Sequence, residues 1–285
     1  MVSELDVRLA DGRTIHAYDT GAASESDLAL LWQHGSPQTG APLEPLLVAA
    51  AERGIRLFSY GRPSYGGSTA SPGRDVASAA TDTVAVADAL GIQRFATMGA
   101  SGGGPHALAP AVLAPERVIA AVTLAGIAPF SGEYDWFAGM ASPAGIRSAF
   151  DGRAARATFE ETAEFDPAQF IPADFAALDG AWASLGADVG RSAAFGPDGL
   201  IDDDVAFASE WGFDIADITV PVLVVQGGGD RVIPPAHGRW LAQTIPGAEF
   251  WLRGDDGHVS VLDAVPVAMD WLLQHDDTTH TTEGN

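Results

Sequence analysis

The chain has 285 residues, no cysteine, 38 acidic and 15 basic side chains, and a formal net charge of −23. All the basic side chains are arginines, so disulfides, thiol nucleophiles, cysteine metal sites, lysine Schiff bases and the lysine-bearing phosphate loop are excluded. Such acidity repels nucleic acid and anionic membranes, which leaves a small-molecule substrate as the expected partner. Adaptation to high salt and GC-rich coding both account for the charge. No run approaches the ~18 apolar residues of a membrane span. The opening Met1-Val2-Ser3-Glu4-Leu5-Asp6 lacks a signal-peptide pattern, so the expected location is the cytoplasm.

In chain order, Glu4–Ala10 and Thr14–Asp19 alternate like strands and meet at Asp11-Gly12, a hairpin turn. Leu28–Gln33 reads as a buried strand, followed by a helix over Pro42–Arg53 and a strand over Ile55–Tyr60. A Gly/Pro/Ser loop leads to a helix over Asp75–Leu90 that Gly91 closes. Arg94–Met98 is a short apolar strand, and an Ala/Leu-rich helix runs from Pro105 to Leu113. Val118–Leu124, Val222–Gln226 and Ala248–Leu252 are further strands, with helices over Pro234–Ile245 and Val259–Leu273. Alternating apolar strands and helices predict an α/β fold, a mostly parallel sheet with helices on both faces.

Between about Pro129 and Phe213 strand signals vanish and short helices rich in Ala, Phe and Trp replace them. The expected division is a core of residues 1–128 and 214–275, a helical cap of 129–213 over the sheet's carboxyl edge, and a polar tail of 276–285. Most of the cap's aromatics are expected to form its own small core, and a minority to line a pocket.

The chemistry concentrates at Met98-Gly99-Ala100-Ser101-Gly102-Gly103-Gly104. A Gly-x-Ser-x-Gly string between strand and helix makes a sharp turn that exposes the serine hydroxyl. A serine needs a base to take its proton, and the base needs an acid to orient it. Asp230 follows the strand at Val222–Gln226, and His258 follows the strand ending at Leu252. Asp255 and Asp256 lie nearer His258 in sequence, in too tight a turn to orient it, but near enough to raise its pKa. Oxyanion donors are expected from the backbone N–H of Gly102 and, because Pro37 has none, of Ser36. His34 is expected to buttress that loop and His106 to be a packed helix residue. No histidine has metal-ligand spacing, and Gly227-Gly228-Gly229 lacks a dinucleotide fingerprint; no cofactor or metal is implied.

The chain resembles the α/β-hydrolase fold superfamily, particularly its cap-bearing, esterase-like members. The likeness rests on His34-Gly35-Ser36-Pro37, an Arg-x-x-Tyr-Gly-x-Ser loop at Arg62–Ser68, the elbow at Gly99–Gly103, Gly-x-Asp-x-x-x-Pro at Gly228–Pro234, and Gly257-His258. It implies a predominantly eight-stranded sheet, with Ser101 as nucleophile, Asp230 as acid, His258 as base and the Ser36 loop as oxyanion loop. Two departures stand out: Gly102, where many relatives carry a larger side chain, and the two aspartates before Gly257. The expected activity is carboxylic-ester hydrolysis by a serine hydrolase acting on neutral or apolar small molecules. Lactone, amide (including proline-type aminopeptidase) or C–C bond hydrolysis, and a catalytically silent ligand-binding module, fit the same residues.

Overall fold

The computed structural model describes residues 2–276 except 23, 25 and 26. Eight strands form one sheet in the order β1-β2-β4-β3-β5-β6-β7-β8. They are β1 (Ser3–Arg8), β2 (Thr14–Asp19), β3 (Ala29–Gln33), β4 (Arg56–Tyr60), β5 (Phe95–Ala100), β6 (Val118–Leu124), β7 (Val222–Gly227) and β8 (Glu249–Arg253). Strand β2 pairs antiparallel with both β1 and β4, and every other pairing is parallel. The antiparallel edge begins in the hairpin expected from Asp11-Gly12. Strand β1 stops at Arg8, two residues short of the expected Ala10, while β2 begins at Thr14 as expected; Leu9 N–H donates to Arg13 O at 2.9 Å, and Gly12 takes φ +90°.

Five helices pack on the sheet. These are α1 (Glu44–Glu52), α2 (Ser78–Ala89), α3 (Gly103–Leu113), α9 (Pro235–Thr244) and α10 (Val265–Gln274). Helices α2, α3 and α9 bury Val86, Leu108 and Leu241 with Leu31 and Phe95 on one face. On the other, α1 and α10 bury Leu46 and Met269 with Trp32 and Val122. Both faces are therefore covered, which is why β5 and β6 are buried at every position. Helix α10 starts six residues later than its periodicity suggests. Residues Ser260–Ala264 form a 3-10 turn, and Pro266, which lacks an N–H, sits in the first turn of the α-helix that follows.

Five more helices lie between β6 and β7: α4 (Ala144–Ala149), α5 (Arg153–Glu160), α6 (Pro172–Asp179), α7 (Ala183–Ser192) and α8 (Asp198–Ala208). The tryptophans of this insertion do not form a core of their own. Trp136 and Trp211 join the cluster on one sheet face and Trp182 joins the other. The insertion is thus sewn into the main hydrophobic core on both sides, and Trp182 Nε1 also donates to Asp263 Oδ1 at 2.8 Å. Asp276, where the polar tail was expected to begin, is buried; residues 277–285 lie outside the described residues. No helix among the described residues is long and apolar enough to cross a membrane.

Three histidines are buried without charge. His237 Nδ1 accepts from Ala128 N–H at 3.2 Å while Nε2 donates to Trp136 O at 2.8 Å, and burial lowers its pKa to about 4. His106 donates from Nδ1 to Gly102 O at 2.7 Å, and burial, with the nearby Arg62 charge, lowers its pKa to about 3. Burial and then Arg62 likewise push His34 well below its ordinary value. The unfolded chain binds these protons near the ordinary histidine pKa of about 6.5. The stability contributed by the neutral rings is therefore fully present above that pH and declines as pH falls toward their folded-state values. These three rings are expected to lower urea midpoints steadily between pH 6.5 and 4 and to contribute no change between pH 7 and 8. A midpoint that stays flat over the lower range would contradict the buried neutral state.

Candidate active site

Parallel pairing of β4-β3-β5-β6-β7-β8 brings the ends of β3, β5, β7 and β8 to one edge of the sheet. Ser101 stands at the end of β5 with φ +54°, a left-handed conformation that costs a residue with a side chain about 1–2 kcal/mol. Its backbone is held on both sides: Ser101 N–H donates to Leu124 O at 2.9 Å, and Ser101 O accepts from Gly104 N–H at 2.9 Å. The turn is tight enough that a Cβ on Gly99 would overlap the Gly103 carbonyl, and one on Gly103 would overlap the Gln33 carbonyl. The glycines are there because β3, β5 and α3 meet backbone to backbone.

His258 Nε2 lies 2.9 Å from Ser101 Oγ, and His258 Nδ1 lies 2.8 Å from Asp230 Oδ2. The side chain of Asp230 is fully buried. Its Oδ1 accepts from Val232 N–H at 2.8 Å and Ile233 N–H at 2.9 Å, which leaves Oδ2 aimed at the imidazole. The glycine run before Asp230 lets two loops touch. Gly228 N–H donates to Arg253 O and Gly229 N–H to Asp256 O, both at 2.8 Å, and Cβ atoms on Gly227 or Gly228 would collide with the backbone at Gly254–Gly257. Strands β7 and β8 are neighbours, so this contact fixes the distance between Asp230 and His258.

Gly102 opens α3 at its N-terminal end, where N–H groups have no partner inside the helix. Ser36 lies directly across from it: a Cβ on Gly102 would come 2.5 Å from Ser36 Oγ. A Cβ on Gly35 would lie 3.6 Å from Ser101 Cβ, so the loop after β3 flanks the serine. His34 holds that loop: Nδ1 donates to Gly35 O at 2.7 Å, and Nε2 accepts from Arg62 N–H at 3.1 Å. The structure therefore gathers Ser101, His258, Asp230, Gly102 and Ser36 into one place.

Three further residues belong to this place, and sequence reading passed over them. Helices α6, α7 and α8 each send one fully buried aspartate into a loop of the core: Asp174, Asp188 and Asp203. Asp174 Oδ1 accepts from Val259 N–H at 2.8 Å, Ser260 N–H at 2.9 Å and Ser260 Oγ at 3.0 Å. A Cβ on Gly257 would overlap its carboxylate, which explains the glycine before His258. Asp188 accepts from Thr39 Oγ1 at 2.6 Å and Thr39 N–H at 3.0 Å, beyond the Ser36 loop. Asp203 takes Arg62 at 2.7 Å, Arg74 at 2.6 Å and the Tyr65 hydroxyl at 2.9 Å. Burial opposes its ionisation, but the Arg62 and Arg74 charges overcome this and hold it well below the usual carboxylate range.

Asp174 also replaces the expected electrostatic part of Asp255 and Asp256. Asp255 is exposed, and Asp256 is paired with Arg253. Burial alone would depress the His258 pKa; the charge and hydrogen bond of Asp230, then the charge of Asp174, outweigh it and raise the pKa above its ordinary value.

The sequence pattern of the alpha/beta hydrolase fold family matches residues 29–265, from β3 to the start of α10. The chain belongs to the alpha/beta hydrolase fold family. Among solved structures, an alpha/beta hydrolase fold protein from Nakamurella multipartita is 25% identical, with a TM-score of 0.62 over 96% of this chain and 99% of that one. A thermophilic esterase from Thermogutta terrifontis is 21% identical, with a TM-score of 0.72 over 96% of this chain and 99% of its own. An enol-lactonase from Burkholderia xenovorans is likewise 21% identical, with a TM-score of 0.72 over 95% and 100%. No curated protein matches the sequence.

Removing the Asp174 charge should make the His258 imidazolium easier to deprotonate. In Asp174→Asn the acidic limb of the kcat/KM–pH profile is expected to move to lower pH, and in Asp256→Asn to stay in place. The opposite pattern would return the electrostatic part to Asp256.

Proposed function

We propose that the protein is a serine hydrolase that cleaves carboxylic esters of neutral or apolar small molecules through an acyl-enzyme. The observation that carries this reading is the hydrogen-bonded chain from Ser101 Oγ to His258 to Asp230, with the serine at a left-handed strand–helix turn. In this reading His258 Nε2 takes the Ser101 proton as Oγ attacks the substrate carbonyl. Asp230 keeps the imidazole turned so that Nε2 faces the serine, and stabilises the imidazolium that forms. The N–H groups of Gly102 and Ser36 receive the developing oxyanion. His258 then protonates the leaving alcohol, and on the return half-reaction it deprotonates the water that releases the acid. Protein groups alone perform every step of this scheme.

The raised His258 pKa suits it, since a base that binds its proton more firmly draws it from serine more readily. The net charge of −23 disfavours anionic substrates. The insertion over residues 129–213 serves as a cap: its α6 and α8 contact the loops of His258 and Ser36, so it borders the space above the serine.

A fluorophosphonate probe is expected to label Ser101, identified by mass mapping, and a panel of aryl esters of graded acyl length to be turned over. Ser101→Ala and His258→Ala should each lower kcat/KM by about 10⁴-fold or more, and Asp230→Asn by about 10⁴-fold. Failure of Ser101 to label beside a labelled control esterase would overturn the enzyme reading. Labelling without ester turnover would move the substrate to a lactone, amide or C–C bond.

A further inference from the structure

The hydroxyl of Ser36 plays no part in the scheme above, which uses only its backbone N–H. It is nonetheless tightly engaged. Ser36 Oγ donates to Asp203 Oδ2 and accepts from Arg62 Nη2 at 3.0 Å. Arg62 Nη1 also donates to His34 O, and Arg62 N–H donates to His34 Nε2 at 3.1 Å. Asp203 and Arg62 are both essentially unexposed. Residues 34 and 36, on either side of Gly35, are thus fastened to one buried ion pair whose carboxylate comes from α8 of the insertion.

The same hydroxyl explains the unusual Gly102. A side chain at position 102 would begin 2.5 Å from Ser36 Oγ and 3.3 Å from Phe207 Cζ. Phe207 lies four residues after Asp203 on α8 and packs on the ring of His106. The space that a larger side chain would take after the nucleophile is filled here from the opposite loop and from the insertion.

We propose that Asp203, acting through the Ser36 hydroxyl, is a positioning residue for the oxyanion hole, and that Gly102 is the vacancy this latch requires. The proposal rests on the hydrolase reading. Oxyanion donors work only when they are already aimed at the developing charge; Pro37 restrains the chain after Ser36, but Gly35 before it adds no stiffness on that side. The latch supplies that stiffness from outside the loop. It acts on a group that meets the substrate oxygen chiefly in the transition state, so its loss appears in kcat and leaves KM in place.

Asp203→Asn strips the counter-charge from two buried arginines and threatens folding. Ser36→Ala is therefore the deciding variant, because it keeps both the N–H and the Asp203 ion pairs. It is expected to lower kcat and the rate of fluorophosphonate labelling together, by about tenfold, against the 10²–10³-fold loss typical when a donor is removed outright. KM and the thermal midpoint should stay near wild type. Gly102→Ala should be damaging in the wild-type background and measurably less so in Ser36→Ala, where the colliding oxygen is gone. A Ser36→Ala enzyme with kcat and labelling rate within twofold of wild type, or a Gly102→Ala effect identical in both backgrounds, overturns the latch alone. A wild type that does not label overturns the hydrolase reading and the latch with it.

Discussion

The arrangement around Ser101 depends on carboxylates taken out of water and fully engaged. Asp174, Asp188 and Asp203 come from three successive helices of one insertion, and each ends in a loop of the sheet domain. A buried carboxylate without partners would cost several kcal/mol. Once its partners are backbone N–H groups and arginines, the same cost penalises any movement that separates them. The loops after β3 and β8 owe their positions to this constraint. The hydrophobic contacts of Trp136, Trp182 and Trp211 bring the insertion near the sheet, and the carboxylates fix its register against it.

A second constraint is the parallel sheet. Because β3, β5, β7 and β8 run the same way, their carboxyl ends converge, and residues as far apart as Ser101 and His258 become neighbours with only short loops between strand and site. Glycines then set how closely those loops approach. Gly99 and Gly103 let the Ser101 turn fold onto β3, and Gly227 and Gly228 let the Asp230 loop rest on the His258 loop. The left-handed angle at Ser101 is kept because hydrogen bonds to Leu124 and Gly104 fix both sides of it.

Much of this is legible in the sequence. The central strands β3, β5, β6 and β7 are apolar runs and the first two strands alternate, so their existence follows from pattern, and Ser101, Asp230 and His258 sit past strand ends where their spacing can be read. Boundaries were harder. Helix α10 begins late because Ser260 is occupied by Asp174 and Pro266 suits a first turn, and neither fact is periodic. The buried aspartates escaped for a similar reason. Asp174 reads as an ordinary helix-start acid, and it does accept from Ile171 N–H at 3.0 Å, yet its other oxygen works 85 residues away. Nothing in the string Asp202-Asp203-Asp204 itself separates a buried carboxylate from a solvated one. In the fold Asp202 pairs with Arg153, Asp204 with Arg156, and Asp203 with Arg62 and Arg74. The one local hint is helical spacing: Ala206 and Phe207, both buried, lie three and four residues after Asp203 and so share its face.

The ion pairs of Asp203 also bear on how such a chain can change over evolutionary time. Arg62 and Arg74 lie in the loop region between β4 and α2, but their neutralising charge is encoded 141 and 129 residues later, in a helix of the insertion. Exchanging residues 129–213 for the equivalent segment of another family member would strand two guanidinium groups inside the protein. A recombinant that crosses that seam therefore has to keep a carboxylate at the place of Asp203 or replace the arginines along with the helices.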